Sequence, residues 1–406
     1  MTVDLNLEGY NVVRQLWLMF YDKDQHNFIC HNNSGGPYCK EGRYTLWPVA
    51  VTVQAIVDAM RIFPKEIGPM MRPAFEAFDA YYSPKHHAYC ASFNYDGNND
   101  VYYDDNAQVA SCFLSAYEVT HDKYYLDKAV ENVHFLMTGA EKGIYGGVRW
   151  HMGKQGSNTC TTAEVGIACM RLARVVQNNQ VYIDFAKMCA DWIFERVQAD
   201  DKLIADGLEP DGDHFRLNDA KWTYNQGTPI TLCSLLYNAI RDEKYYKYAE
   251  GLALAATDHN TAIFDRDTQN MDARYYRDTT YFYQLLAEGL ADFLLFFSDK
   301  APQNVLDQIR GELLHTIDYV YKYIRDDQDG LYFQLFSIYE IDQKRADLFR
   351  ELTGETGKPY KPHEGEREKT DAPVDQRKLV KGLMGCGAAA RVLFQTARVH
   401  PTIDPK

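Results

Sequence analysis

Two carboxylates stand side by side in Tyr102-Tyr103-Asp104-Asp105-Asn106. The helical spacing of Ala107, Ala110, Phe113, Leu114 and Tyr117 begins immediately after them. Adjacent carboxylates repel each other, so their pKa values split. One can then stay protonated as an acid while the other stays ionised as a nucleophile or base, which is the division of labour glycoside cleavage needs. Position matters as well. Consecutive side chains point about 100° apart inside a helix and to opposite faces of a strand. At a helix start or in a loop, both acids can aim at one bond. The plainer reading is structural: Asp is a favoured N-cap, and acids in a first turn complement the helix dipole, which would make Asp104 a cap.

Two further loop-to-helix segments suit a polyhydroxyl ligand. In Gly146-Gly147-Val148-Arg149-Trp150-His151 the glycines permit close approach, and Trp150 offers a flat face to a sugar ring. In Trp222-Thr223-Tyr224-Asn225-Gln226-Gly227 the amides of Asn225 and Gln226 can each donate to and accept from neighbouring hydroxyls. Their structural alternatives are a turn with Trp150 in the core, and a cap at Asn225 followed by ordinary packing.

The elements that must position these residues are helices. Apolar periodicity predicts twelve of them, at 7–22, 45–62, 66–81, 104–120, 122–138, 157–177, 179–198, 225–241, 243–257, 278–298, 302–325 and 379–399, with one more amphipathic stretch at 337–352. Convincing β-alternation is scarce. A weak repeat joins 116–129, 176–186 and 237–249: one helix ends, a polar turn follows, and a second helix opens with aromatics ahead of an Ala. Tyr124, Tyr182 and Tyr245 recur about every 60 residues, a period fit for two helices and their connections. Six such hairpins in a ring make an all-α (α/α)6 barrel with an active-site cleft at one rim. Gly- and Asp-rich connections at 96–100, 143–150, 206–213 and 326–330 would form that rim. The segment 354–378 is charged and rich in Pro and Gly, and reads as a long loop or lid that closes one end of the cleft. No interior linker divides the chain, so residues 1–406 are expected to form one catalytic domain.

Composition narrows the classes. The 406 residues are 46% hydrophobic, ample for a large core, and carry a formal net charge of −14, which argues against nucleic acid and anionic membrane surfaces as partners. No apolar run approaches the length of a membrane span. Met1-Thr2-Val3-Asp4-Leu5-Asn6 has neither a basic nor an apolar leader region, and nine Cys without CxxC pairs fit free thiols; both lead to the expectation of a cytoplasmic protein. Cys30 and Cys39 lie near His26 and His31, but their spacing matches no standard zinc finger. No nucleotide-binding fingerprint appears and two-carboxylate chemistry requires no metal, so no cofactor and no metal are predicted.

These motifs, in order and spacing, resemble glycoside hydrolase family 76, the endo-α-1,6-mannanases. The likeness rests on Tyr103-Asp104-Asp105-Asn106, Gly146-Gly147 followed by Trp150, Asp206-Gly207, Thr223-Tyr224-Asn225-Gln226-Gly227, and Leu46-Trp47-Pro48 near the N-terminus. It covers about residues 45–300. The resemblance implies a retaining hydrolase of α-1,6-linked mannose-type oligosaccharides or polysaccharides, with Asp104 matching the family nucleophile and Asp105 its general acid/base. It also implies a substrate-binding set of Tyr103, Asn106, Trp150, Asn158, Asp206, Tyr224, Asn225 and Gln226. The residues alone give two carboxylates without ordering them, and their adjacency favours the short separation typical of retention.

Two features depart from the family pattern: Gln108 stands where a bulky aromatic is common, and the 354–378 segment has no counterpart there. The alternatives are another (α/α)6 carbohydrate enzyme or a non-catalytic glycan-binding relative. A glycuronyl hydrolase would need a cationic pocket. An epimerase would lean on histidines, for which His86, His87, His134, His151 and His214 form no known pattern.

Overall fold

The computed structural model describes residues 2–30, 38–40, 42–356 and 358–405. Thirteen α-helices run through them: α1 (Leu5–Phe20), α2 (Leu46–Ile62), α3 (Pro64–Glu76), α4 (Tyr103–Thr120), α5 (Lys123–Met137), α6 (Thr159–Ala173), α7 (Gln180–Trp192), α8 (Thr223–Ile240), α9 (Glu243–Ala256), α10 (Thr280–Phe296), α11 (Gln303–Tyr319), α12 (Gln343–Thr353) and α13 (Leu383–Ala397). Every predicted helix is present, and α12 is the extra amphipathic one. Each of α7 and α11 ends in a wider π-helical turn, at Ile193–Val197 and Val320–Ile324.

The chain divides into two compact units. One comprises Met1–Ala77, Thr257–Ala287 and Arg310–Lys406; the other comprises Phe78–Ala256 and Glu288–Ile309. In the first, α13 packs on α1 and α2, and every residue of α13 is buried, as an all-round apolar helix requires. In the second, α4, α6 and α8 pack side by side, and α5, α7 and α9 return antiparallel to them. Helices α6 and α8 are buried on nearly all sides, whereas α5, α7 and α9 bury one face and show the other to water.

The sequence repeat has a structural counterpart in this second unit. Each hairpin turn contains a residue in the left-handed region, His121 (φ 55°), Asn178 (φ 55°) and Arg241 (φ 57°). Asp122 and Asp242 then accept backbone N–H groups two residues on, from Tyr124 and Lys244. That contact starts the returning helix.

Two local expectations change. The Gly- and Asp-rich stretch after Asp206 is a β-hairpin: Gly207–Asp211 pairs with His214–Asn218, and Ser157–Asn158 adds a third strand. Four of the five residues of its second strand are exposed, so no alternation of buried and exposed residues marks it. Cys30 and Cys39 form a disulfide instead of free thiols, and the bond also removes both thiolates from any metal site; His31 lies outside the described residues. The other seven cysteines are buried and form no disulfide. The described residues of segment 354–378 are irregular with two short 3-10 turns. Buried Glu366 pins it by accepting the N–H groups of Gln334 and Leu335, at 2.8 Å each. Arg367 pins it by donating to the carbonyls of Ile341 and Arg377.

Candidate active site

The acid pair sits in the first turn of α4, within the second unit. Tyr102 is the N-cap residue and makes no side-chain capping bond. Asp104 is the second helical residue and does not cap. Its Oδ2 accepts the indole N–H of Trp150 at 2.7 Å, and its Oδ1 accepts the N–H of Asp105 at 2.9 Å. The Trp150 side chain reaches it because the Tyr103 N–H donates to the Trp150 carbonyl (2.9 Å), fixing 150–151 against the helix start. With 44% of Trp150 exposed, its ring remains open to a ligand while its N–H is engaged.

The two carboxyls differ in environment. Burial pushes Asp104 up to about 6, against the pull of the Trp150 and Asp105 donors and with a push from the charge of Asp206. Asp105 lies well above the usual carboxylate range, from burial first and then from the charges of Asp104 and Asp100. No hydrogen-bond donor faces the Asp105 side chain among the described residues. Both carboxyls are thus raised, by burial and by each other's proximity, and the donors on Asp104 favour it as the member of the pair that ionises more readily.

A third carboxylate closes the cluster. Asp206 stands just before the β-hairpin. Its Oδ1 accepts the Tyr224 hydroxyl (3.0 Å) and the Asn225 amide (2.9 Å), and its Oδ2 accepts the Asn218 amide (3.2 Å). Burial raises it despite these donors. The adjacent Gly207 is required by packing, since a Cβ there would lie 2.1 Å from the Ser157 carbonyl oxygen. Asn225 is fully buried, and its Oδ1 has no hydrogen-bond partner among the described residues.

The structure thus brings Asp104, Asp105, Trp150, Asp206, Tyr224 and Asn225 into one electrostatic cluster. Four other predicted binding residues make hydrogen bonds or ring contacts within the protein itself. Tyr103 is buried, stacks on Phe135 at 4.9 Å and contacts the Thr138 hydroxyl. Asn106 is fully buried; it accepts the Tyr89 N–H (2.8 Å) and donates to the carbonyls of Tyr89 (2.9 Å) and Tyr102 (2.7 Å). Gln226, also fully buried, repeats that pattern on Ile204 (2.8 and 3.0 Å) and on the Trp222 carbonyl (2.9 Å). Asn158 caps α6 by accepting the Thr161 N–H at 3.0 Å, and its amide donates to the Asp206 carbonyl at 3.1 Å.

Asn106 and Gln226 are both the fourth residue of their helix, and so is Thr162 in α6. Thr162 accepts the Val148 N–H at 2.9 Å and donates to the Asn158 carbonyl one turn back. One device thus anchors three helix starts to the connections before them. It leaves the second and third helical positions free for chemistry.

Sequence reading missed Cys160, the second residue of α6. Burial and the charges of Glu164, Asp104 and Asp206 push its thiol well up, so it stays protonated beside the acids. Its place in the helix start, equivalent to Asp104 and Tyr224, is the signal that could have found it. The glycines also have another role: Gly146 and Gly147 adopt positive φ, and a Cβ on either would strike the Trp192 ring at 2.8 or 2.7 Å. Of the five histidines, His151 packs on Tyr102 and is held on both sides, by the Gly153 N–H (3.0 Å) and by Asp100 (3.4 Å). It is poorly placed to serve as an epimerase base.

Residues 8–339 match the family described as glycosyl hydrolase family 76, and the chain belongs to it. The meiotically up-regulated gene 191 protein of Schizosaccharomyces pombe is 31% identical over 98% of this chain and 93% of its own length. Among solved structures, a family 76 α-mannanase of Bacteroides thetaiotaomicron superposes with a TM-score of 0.73 at 19% identity, covering 98% of this chain and 96% of that one. An inactive variant of the α-1,6-mannanase of Salegentibacter, solved with α-1,6-mannotriose, gives a TM-score of 0.71 at 15% identity over 98% and 99%. That variant carries Asn in place of two consecutive aspartates. These likenesses show the fold, the all-α barrel of helical hairpins expected from the periodicity. No helix of the described residues is long and apolar enough to cross a membrane.

Proposed function

We propose that this glycoside hydrolase cleaves α-1,6-linked mannose-type glycans with retention, Asp104 acting as nucleophile and Asp105 as general acid/base. The observation that carries the reading is the asymmetry between two adjacent carboxyls. Trp150 and the Asp105 N–H both donate to Asp104, and neither helps ionise Asp105. In the first step Asp104 attacks the anomeric carbon as Asp105 gives its proton to the leaving oxygen. In the second, Asp105, now ionised, takes a proton from water as the water attacks the anomeric carbon and releases Asp104. The exposed Trp150 face suits sugar stacking, and the Asn225 Oδ1 and the Asp206 carboxylate suit sugar hydroxyls. The solved neighbour bound to α-1,6-mannotriose, inactive with two consecutive aspartates changed, supports the substrate and the pair together.

The test is a product assay on α-1,6-manno-oligosaccharides, with NMR of the first-formed anomer, for wild type, Asp104→Asn and Asp105→Asn. Hydrolysis with an α-product, lost in both variants, is expected. A β-product would overturn retention, and no hydrolysis by folded wild type would overturn the substrate.

A further inference from the structure

A second cluster of titratable side chains lies in the first unit, apart from the residues used above. We propose that His259, Glu312 and His315 bind a divalent first-row transition-metal ion, with Zn2+ the best match to two imidazoles and one carboxylate. One ligand atom from each lies within 4.8 Å of the others. Glu312 and His315 are three residues apart on α11 and so share a face of the helix. His259 comes from the connection after α9.

Hydrogen bonds around the cluster favour ligation. One nitrogen of each imidazole faces a backbone carbonyl: His259 Nδ1 lies 2.8 Å from the Met271 oxygen, and His315 Nε2 lies 2.9 Å from the Arg274 oxygen. A carbonyl only accepts, so each of these nitrogens carries a hydrogen, and the opposite nitrogen is the one able to ligate. Metal-bound histidines are oriented in this way. Glu312 is buried, with 4% of its side chain exposed. Its Oε1 accepts the Thr316 hydroxyl at 2.9 Å, and the Tyr276 hydroxyl also bonds to the carboxylate. Ligating carboxylates are commonly held like this.

The simpler account is an ion pair, because His259 Nε2 and Glu312 Oε2 are 2.6 Å apart. An ion pair explains those two residues but gives no reason for a second imidazole whose ring centre is 5.2 Å from the first. Coordination would displace the proton shared by His259 and Glu312 to solvent and spread the two ligand atoms to roughly 3.3 Å, as tetrahedral bonds of about 2.0 Å require. The bound ion would tie the 257–276 connection to α11. The proposal does not depend on the glycosidase reading.

The full chain, stripped with EDTA and dialysed, is titrated with ZnCl2 by calorimetry, and with Co2+ by visible absorption. One Zn2+ per chain, a higher Tm with Zn2+ that EDTA reverses, and intense four- or five-coordinate cobalt bands are expected. His315→Ala should abolish the Tm response while keeping the wild-type circular dichroism. Thr316→Val, which removes only the hydroxyl on Glu312, should weaken binding on the order of tenfold. Absence of saturable binding, unchanged binding in His315→Ala, or a weak octahedral cobalt spectrum would each overturn the site. Should His315→Ala fail to fold, the wild-type stoichiometry and cobalt spectrum decide.

Discussion

The starts of α4 and α8 are built alike and do different work. In each, the fourth residue, Asn106 or Gln226, is a buried amide that ties the helix to the preceding connection through one accepted and two donated hydrogen bonds. In each, the second and third residues face the cluster. On α4 they are Asp104 and Asp105, two carboxyls with two donors between them. On α8 they are Tyr224 and Asn225, neutral donors that both serve Asp206. The comparison teaches that the anchoring device is the scaffold's, and that the proposed reactivity lies where charge is left poorly compensated.

Substitutions can break this comparison. The largest effect is expected from the acids: Asp104→Asn and Asp105→Asn should each lower kcat by roughly 10²–10⁴-fold or more on an α-1,6-manno-oligosaccharide. Tyr224→Phe, at the equivalent helical position, should cost only about tenfold, because Asp206 keeps its amide donors. Equal losses on the two helices would erase the distinction.

Next come the anchors. Asn106→Ala and Gln226→Ala each leave buried backbone groups without partners, so both should destabilise the protein by roughly 2–4 kcal/mol in urea unfolding. Asn106→Ala should also lower kcat by displacing the acids.

The pH dependence sharpens the contrast further. Both acids are raised in the folded protein, so the folded state binds more protons than the unfolded chain between the ordinary Asp pKa and the folded values. Stability from this source is full below about pH 4 and is lost as pH rises through about 6 and beyond. Asp104→Asn should therefore raise Tm at pH 7, by the equivalent of roughly 1–3 kcal/mol, and show no gain near pH 3. A Tm gain that persisted at low pH would point to another cause.

Trp150→Phe removes the indole N–H from Asp104 and should move the acid limb of the kcat/KM profile upward by about one unit. An unmoved limb would detach Trp150 from the ionisation of the pair. The smallest effect is expected at Asn158, whose change to Ala should cost about 1 kcal/mol as a lost N-cap, with KM nearly unchanged. A large rise in KM would instead show it to be a substrate ligand.

Much of this was legible in the chain. The 3.6-residue spacing of apolar side chains marks every helix, because burying one face requires it. The adjacency of Asp104 and Asp105 predicts split pKa values from repulsion alone. The hairpin at 207–218 left no mark, since exposed strands need no alternation.

Which acid receives the stabilising donor was not legible, because that depends on where the Trp150 indole points, 46 residues further along the chain. Asn106, Gln226, Asn225 and Asn158 are chemically alike as amides, able to bind a sugar or a backbone. Burial and neighbours alone make Asn106 and Gln226 anchors, make Asn158 a cap, and leave the buried Asn225 Oδ1 without a hydrogen-bond partner among the described residues. The sequence by itself determined helix content, the repeat and the acid pair, because these follow from local spacing and residue type. Only the tertiary structure decided the division of roles, because hydrogen-bond partners and desolvation come from residues distant in the chain.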